Sequence, residues 1–416
     1  MKVAYFSPFP PERSGIADYS AHLLPALERH IRVRVARRGA RRPPFRTDVA
    51  LYHIGNNPEA HDWIVRALRR HPGVVVLHEY VLHHLVAGMT LGKGDPAGYL
   101  DAMEREAGPV GRLLAHGVVD GILPPLWVSR AAEFPLAGWI LDAAQGLIVH
   151  SHYVEKRARE ARYEGPIWRI PMPAWPVPET LGEAGLPTGR RPVVGCFGFL
   201  NPDKRVPELL QAFALLRRKF PDALLVLAGT VAPSIDLETR AEKLGLTLGS
   251  DVLNLGFVDE ARLWALIGEC DVCVSLRGPT MGETSAMALQ VLALGKPLVV
   301  SDVGWFSELP GSVAVKVPVG EGEVELLAAA LELLANDAGL RDRLGEEARA
   351  YARAAHDLDA VAELYAAALE EAAGGQKVRD AVLGGIATAA HEVGLAEDDP
   401  ELASIGARAR ELGLGG

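Results

Sequence analysis

Short apolar runs alternate with amphipathic helical stretches along this chain, and the alternation occurs twice. In the first half, residues 3–6, 31–36, 49–53, 74–78 and 147–150 read as buried strands. Residues 17–27, 62–70 and 153–162 read as helices between them. Residues 82–139 predict two or three inserted helices with a Gly/Pro-rich break around 117–125. The prolines that begin at Pro171, and the polar run on to Gly189, fit neither helix nor central strand and predict a linker. The alternation then restarts, with strands at 193–197, 224–228, 252–257, 271–275, 297–301 and 313–317. Helices are expected at 207–220, 259–270, 285–294 and 323–335. Leu209, Leu210, Phe213, Leu216 and Phe220 recur at helical spacing and form one stripe for a sheet face.

Strands separated by helices pair in parallel, so each half predicts a doubly wound α/β domain. The expected division is 1–178, 190–350 and a helical tail at 351–416 that packs on the domains. In open parallel sheets, ligands bind beyond the carboxyl ends of the strands, where helix N-termini offer free N–H groups. Two such sheets facing one another would share a cleft.

Composition narrows the function. With 49% hydrophobic and 23% charged residues the chain has a globular make-up. A net charge of −10 argues against a broad nucleic-acid face, although a local basic site is compatible with it. Three cysteines in 416 residues suit a reducing cytosol, and Cys270 and Cys273 read as buried thiols, not a metal site. The N-terminus reads as a first strand, not a signal peptide, and no apolar run reaches the roughly 20 residues that span a bilayer. A cytoplasmic protein with at most peripheral membrane contact is expected.

The candidate chemistry lies in the loops that follow strands. Ser14 is a suitable N-cap and Gly15 permits close backbone approach, so a diphosphate or an acceptor could sit on this helix start. Asn56 and His61 flank the next strand-to-helix turn. His78, at a strand end, could hydrogen-bond a sugar hydroxyl, with His83 and His84 one turn on. After 193–197, Lys204 and Arg205 suit a diphosphate, since charge-assisted bonds to phosphate are strong. The loop Arg277-Gly278-Pro279-Thr280-Met281-Gly282-Glu283-Thr284-Ser285 delivers Gly282, Thr284, Ser285 and backbone N–H groups onto one spot, an anion cradle. The Glu283 carboxylate suits sugar hydroxyls beside it, and Gln290 on the same helix could reach a ribose.

At these residues the chain resembles glycosyltransferase family 4, the retaining group 1 glycosyltransferases of GT-B fold. The resemblance covers about 1–368. It rests on the Ser14-Gly15 loop, His78, the Gly198 to Lys204 loop, and the Glu283 loop with Gly295-Lys296-Pro297 and Asp302-Val303-Gly304-Trp305-Phe306-Ser307-Glu308. Two departures stand out. The family's paired glutamates would fall at Gly282, next to Glu283, and at Gln290. Its Gly-Arg pair appears as Gly198-Phe199, with Lys204 matching the lysine and Arg205 available as the second cation.

The resemblance implies a retaining, metal-independent transfer of a hexose from a UDP- or GDP-linked sugar to a carbohydrate, small-molecule or lipid acceptor, with no cofactor. Lys204 and Arg205 would stabilise the departing diphosphate and Glu283 would hold the sugar. His78 and the Ser14-Gly15 loop would shape the acceptor side. A non-catalytic nucleotide-sugar binder and a GT-B epimerase remain as rivals. The absence of Gly-x-Gly-x-x-Gly after either first strand speaks against a NAD enzyme.

Overall fold

The computed structural model describes residues 1–12, 14–44, 46–374, 376–396 and 399–411. Strands β1 (Lys2–Phe6), β2 (Arg32–Val35), β3 (Val49–Ile54), β4 (Gly73–Leu77), β5 (Ala144–Val149) and β6 (Ile167–Arg169) form one sheet in the order β2-β1-β3-β4-β5-β6. Strands β7 (Val193–Phe197), β8 (Leu224–Ala228), β9 (Val252–Asn254), β10 (Val272–Ser275), β11 (Leu298–Ser301) and β12 (Val315–Val317) form a second, ordered β12-β11-β10-β7-β8-β9. Every ladder between these strands is parallel. The apolar runs in β3, β4, β7 and β8 are buried throughout, as strands covered on both faces must be.

The first sheet is wound with α1 (Gly15–Leu27), α2 (Pro58–Arg70), α3 (His83–Met89), α4 (Pro96–Val119), α5 (Leu126–Ser129), α6 (Gly138–Leu141) and α7 (His152–Glu160). The second carries α8 (Val206–Arg217), α9 (Leu237–Lys243), α10 (Glu260–Glu269), α11 (Ala286–Leu294), α12 (Glu323–Asn336) and α13 (Ala338–Ala355). Then follow α14 (Leu358–Ala372), α15 (Gln376–Glu392) and α16 (Pro400–Glu411). The expected stripe of α8 packs on its sheet: Leu209, Leu210, Phe213 and Leu216 share a core with Val194, Cys196, Leu225 and Leu227, and Phe220 is partly buried against it.

Four features differ from the pattern reading. β6 and α9 carry no clear periodicity and were not expected. The expected break is present at 120–125, between α4 and α5, but α4 carries a second one at Ala107 and Gly108, where Pro109 lacks the N–H that would continue the ladder. The strands expected to run to 257 and to start at 313 are shorter, ending at Asn254 and starting at Val315.

The chain divides into two compact units, Met1–Ile170 with Asp359–Gly416, and Pro171–Leu358. The proline-rich 171–189 stretch therefore groups with the second unit, and most of the C-terminal helices group with the first. Positions 375, 397–398 and 412–416 of the expected 351–416 tail lie outside the described residues. Within the first unit, α14 is fixed by a Tyr19–Tyr365 hydroxyl pair at 2.7 Å, both rings fully buried, and by the Trp168 indole N–H donating to Glu371 at 2.8 Å. Among the described residues, no helix is long and apolar enough to cross a membrane.

Candidate functional site

The strand order places the loops of interest. In the second sheet the order reverses between β7 and β10, so the loops that leave these neighbours part in opposite directions and open a crevice at the sheet's carboxyl edge. Those loops are 198–205 and 276–285, the two singled out for their chemistry. A hydrogen bond from the Gly278 N–H to the Asp203 carbonyl, 2.8 Å, ties them together.

The first loop turns at Gly198, whose φ of +90° favours glycine. A Cβ there would lie 2.7 Å from Lys204 Nζ and 3.2 Å from Met287 Cγ, so the Lys204 ammonium packs directly under this glycine, close to the start of α11. Lys204 is 9% exposed and donates to the Phe197 carbonyl at 2.8 Å. Burial, and then the nearby Arg277 charge, pull its pKa down to about 7. Arg205 is directed elsewhere. Its Nε lies 2.5 Å from Glu323 Oε1 and its Nη2 3.0 Å from Glu208 Oε1. Phe199, beside Gly198, is exposed.

In the second loop, Gly282 has φ +84° and lets the chain turn before α11. Glu283 Oε2 accepts from the Met281 N–H at 2.9 Å, and Glu283 Oε1 pairs with Arg277 Nε at 2.5 Å. The Arg277 guanidinium also donates to the Leu276 carbonyl and lies 5.7 Å from the centre of the Phe306 ring. Ser285 caps α11, its Oγ accepting from the Ala288 N–H at 3.2 Å. Thr284 Oγ1 and both amide atoms of Gln290 are buried without a partner among the described residues. Unpaired buried polar groups are uncommon, and here they sit just before α11 and on it, where the helix opens from the cradle loop. Near this site, Asp203 is pushed up by burial and by the Glu283 charge, and its carboxylate accepts from the Asn201 amide.

The first sheet reverses between β1 and β3, so the loops before α1 and α2 flank its crevice. Ser14 caps α1 by accepting from the Ile16 N–H, and nothing lies within 4 Å of a Cβ on Gly15. Asn56 has a bracing role in this structure: its side-chain oxygen accepts from the Leu85 N–H, and its own N–H donates to Glu79. It also lines a hollow of about 460 Å³ with Asn57, Pro58, Glu59, Glu79 and His84.

His78 lies deeper, 8% exposed, with Nε2 3.0 Å from His53 Nδ1. The His78 ring centre is 5.3 Å from those of both His53 and His150, and the Tyr19 ring stands edge-on to it. Burial first, and then the neighbouring imidazoles, hold His53 and His78 well below the usual histidine pKa. His61 joins this group through the His53 carbonyl, whereas His83 turns away to the Tyr99 hydroxyl. The three expected strands that end on His53, His78 and His150 carried the signal for this cluster. The sequence reading gave no role to His150 or Glu323, placed His53 only at the head of the loop that carries Asn56, and named Arg277 only as the first residue of the cradle loop.

All three cysteines are free and buried, with Cys270 donating to the Leu266 carbonyl. Among the described residues, no group of three or more His, Cys, Asp or Glu side chains is placed to hold a metal ion.

Two six-stranded parallel sheets, each wound with helices, make this a two-domain α/β protein of the GT-B fold. Over 89% of its length it is similar to sucrose-phosphate synthase from Thermosynechococcus elongatus, at a TM-score of 0.59, 19% identity and 98% coverage of that chain. A similar likeness, at a TM-score of 0.56 and 17% identity, is to Anabaena HepE solved in complex with UDP-glucose, covering 89% of this chain and 99% of that one. Residues 181–351 match the family model described as "Glycosyl transferases group 1". By sequence the chain is 30% identical over 213 residues to the uncharacterized glycosyltransferase YqgM of Bacillus subtilis, covering 50% of this chain and 55% of that protein. It is 28% identical over 183 residues to the alpha-D-kanosaminyltransferase of Streptomyces kanamyceticus, covering 44% and 46%. The chain thus spans about half the length of the curated relatives it matches.

Proposed function

We propose that this protein is a glycosyltransferase that moves a hexose from a nucleoside-diphosphate sugar to an acceptor hydroxyl, with retention at the anomeric carbon. The observation that carries the reading is positional. The segment similar to group 1 glycosyltransferases, 181–351, contains the buried Lys204, the Glu283 loop and the unpaired Thr284 and Gln290, gathered at the reversal point of the second sheet.

Each group then has a task. Lys204 meets the diphosphate with a charge that needs no reorganisation as the leaving group departs. Free N–H groups and the Thr284 hydroxyl at the start of α11 take phosphate oxygens. The Glu283 carboxylate accepts from sugar hydroxyls, and the Gln290 amide pairs with the ribose. The Ser14-Gly15 helix start, Asn56 and His78 belong to the acceptor side, with a carbohydrate, small molecule or lipid as acceptor. Because the cations at this site are side chains, the transfer proceeds without a metal ion, and added chelator should leave turnover unchanged.

The test is a thermal-shift panel of uridine, guanosine and adenosine diphosphates and their sugar conjugates, since a ligand that binds only the native state raises the midpoint. The base that shifts the midpoint is then supplied as its sugar conjugate with candidate acceptors, and glycosylated product is read by mass spectrometry. A shift without product from any acceptor would favour a non-catalytic binder. Release of free sugar or an epimer without acceptor would favour the epimerase class.

A further inference from the structure

We propose that Arg277, not Arg205, is the second cation of the diphosphate subsite, and that Glu283 holds its guanidinium in place until an anion arrives. The inference rests on the nucleoside-diphosphate reading above and assigns a residue to it.

The case against Arg205 is its partners. Its guanidinium is shared between Glu208 and Glu323, and Glu323 is only 2% exposed. Turning Arg205 to a ligand would leave a buried carboxylate uncompensated, which is among the costlier changes a protein can make. A Cβ on Gly278 would lie 2.7 Å from Arg205 Cδ, so the arginine stem is also packed along the loop.

Arg277 differs on each count. It is 8% exposed, so its charge acts in a largely dry setting. Its one ion-pair partner among the described residues is Glu283, a loop carboxylate about 20% exposed that keeps the Met281 N–H if the arginine moves. Arg277 Nη1 donates within its own loop, to the Leu276 carbonyl. The Gly278–Asp203 hydrogen bond brings the Arg277 loop against the Lys204 loop, and Arg277 is among the charges that depress the Lys204 pKa. Two cations that repel one another in a buried crevice form a site for a bridging polyanion. The planar fork of arginine can bind one phosphate through two N–H groups while the lysine takes the other. Asp203 also lies near this pair, and Glu283 would be freed for sugar hydroxyls as the diphosphate takes its partner.

The experiment uses the full chain and the nucleoside whose diphosphate binds the wild type most tightly. Calorimetry measures the affinity of Arg277→Gln, Arg277→Lys and Arg205→Gln for nucleoside, monophosphate and diphosphate. The expected result is a 10- to 100-fold loss for diphosphate in Arg277→Gln with nucleoside affinity unchanged. Arg277→Lys should recover part of that loss, and Arg205→Gln, the competing cation, should change diphosphate affinity by less than threefold. Wild-type diphosphate affinity in Arg277→Gln overturns the assignment. So does an equal loss for nucleoside and diphosphate, which would mark Arg277 as a pin for the loop. A wild type that binds none of the three ligands overturns the nucleotide reading itself and the assignment with it, an outcome visible before any variant is made.

Discussion

The Lys204 ammonium donates to the Phe197 carbonyl across 2.8 Å, so the cation is tethered to the end of the strand that opens its own loop. The same carbonyl end borders Gly198, under which the ammonium packs. Preorganised charge at a leaving group typically lowers a barrier by roughly 2–4 kcal/mol. Lys204→Ala should therefore reduce kcat/KM for the donor by about thirtyfold to a thousandfold. Steady-state kinetics check it, and near-normal turnover would remove Lys204 from the reaction.

A pH dependence follows from the same residue. With a pKa of about 7 in the free protein, Lys204 is charged below that pH and loses its charge above it. An anion binds the charged form, so affinity for the nucleotide sugar should weaken as pH rises from 7 to 8.5, with proton uptake on binding. The sugar conjugate is the right ligand, because its diphosphate does not titrate in this range. The sign for folding is the reverse. The folded pKa lies below the unfolded value of 10.5, so the folded chain binds fewer protons and this group adds stability as pH rises between 7 and 10.5. Calorimetry in two buffers of different ionisation enthalpy reads the binding effect, and a flat profile that matches Lys204→Ala would refute it.

Gln290 offers a conflict between stability and binding. Its amide is 1% exposed with neither atom paired among the described residues. Replacing an unpaired buried polar group by an apolar one of similar shape relieves about 1–3 kcal/mol. Gln290→Leu should raise the unfolding midpoint while weakening nucleoside affinity about tenfold, roughly the 1.4 kcal/mol of one hydrogen bond. A fall in both would show the amide to be structural.

The Tyr19–Tyr365 pair joins residues 346 positions apart, and each hydroxyl is the other's partner in a fully buried setting. Either single change to Phe leaves one hydroxyl buried and unpaired, costing about 1–3 kcal/mol, whereas the double change removes both groups at once. Urea unfolding of the singles and the double should give a coupling of about 1 kcal/mol. Strict additivity would mean that the hydroxyls do not depend on one another.

The buried histidines set an acid limit. Burial lowers His61 to about 4 and holds His53 and His78 well below the ordinary value. A base whose folded pKa is lowered binds more protons when unfolded, so its stability contribution is complete above pH 6.5 and is lost as pH falls toward the folded value. For His61 alone, the loss between pH 6.5 and 4 is roughly 3 kcal/mol. Urea midpoints should drop steadily from pH 6.5 to 5, with a shallower slope in His61→Gln, and a constant midpoint would contradict the burial of these rings.

The sequence by itself determined the kind of elements and the loops that carry chemistry. Residues 193–197 and 224–228 are strands as read, because a short apolar run bounded by turn residues has few other ways to bury itself. Lys204 and Glu283 were legible as loop positions, and Gln290 as a position on the helix that follows, for the same local reason. β6 was not, since its three residues, in a run of four between Pro166 and Pro171, are too few to show a period and are held as a strand by pairing with β5. Strand order, and with it the reversal points that select among the loops, depends on how crossovers pack and leaves no local mark on the chain. The tertiary structure also decided between two arginines that sequence cannot rank. Glu323, 118 positions away, captures Arg205, while Arg277 stays beside Lys204 with a single loop carboxylate. Charge is written in the residue type, but its availability depends on which partner the fold brings within reach.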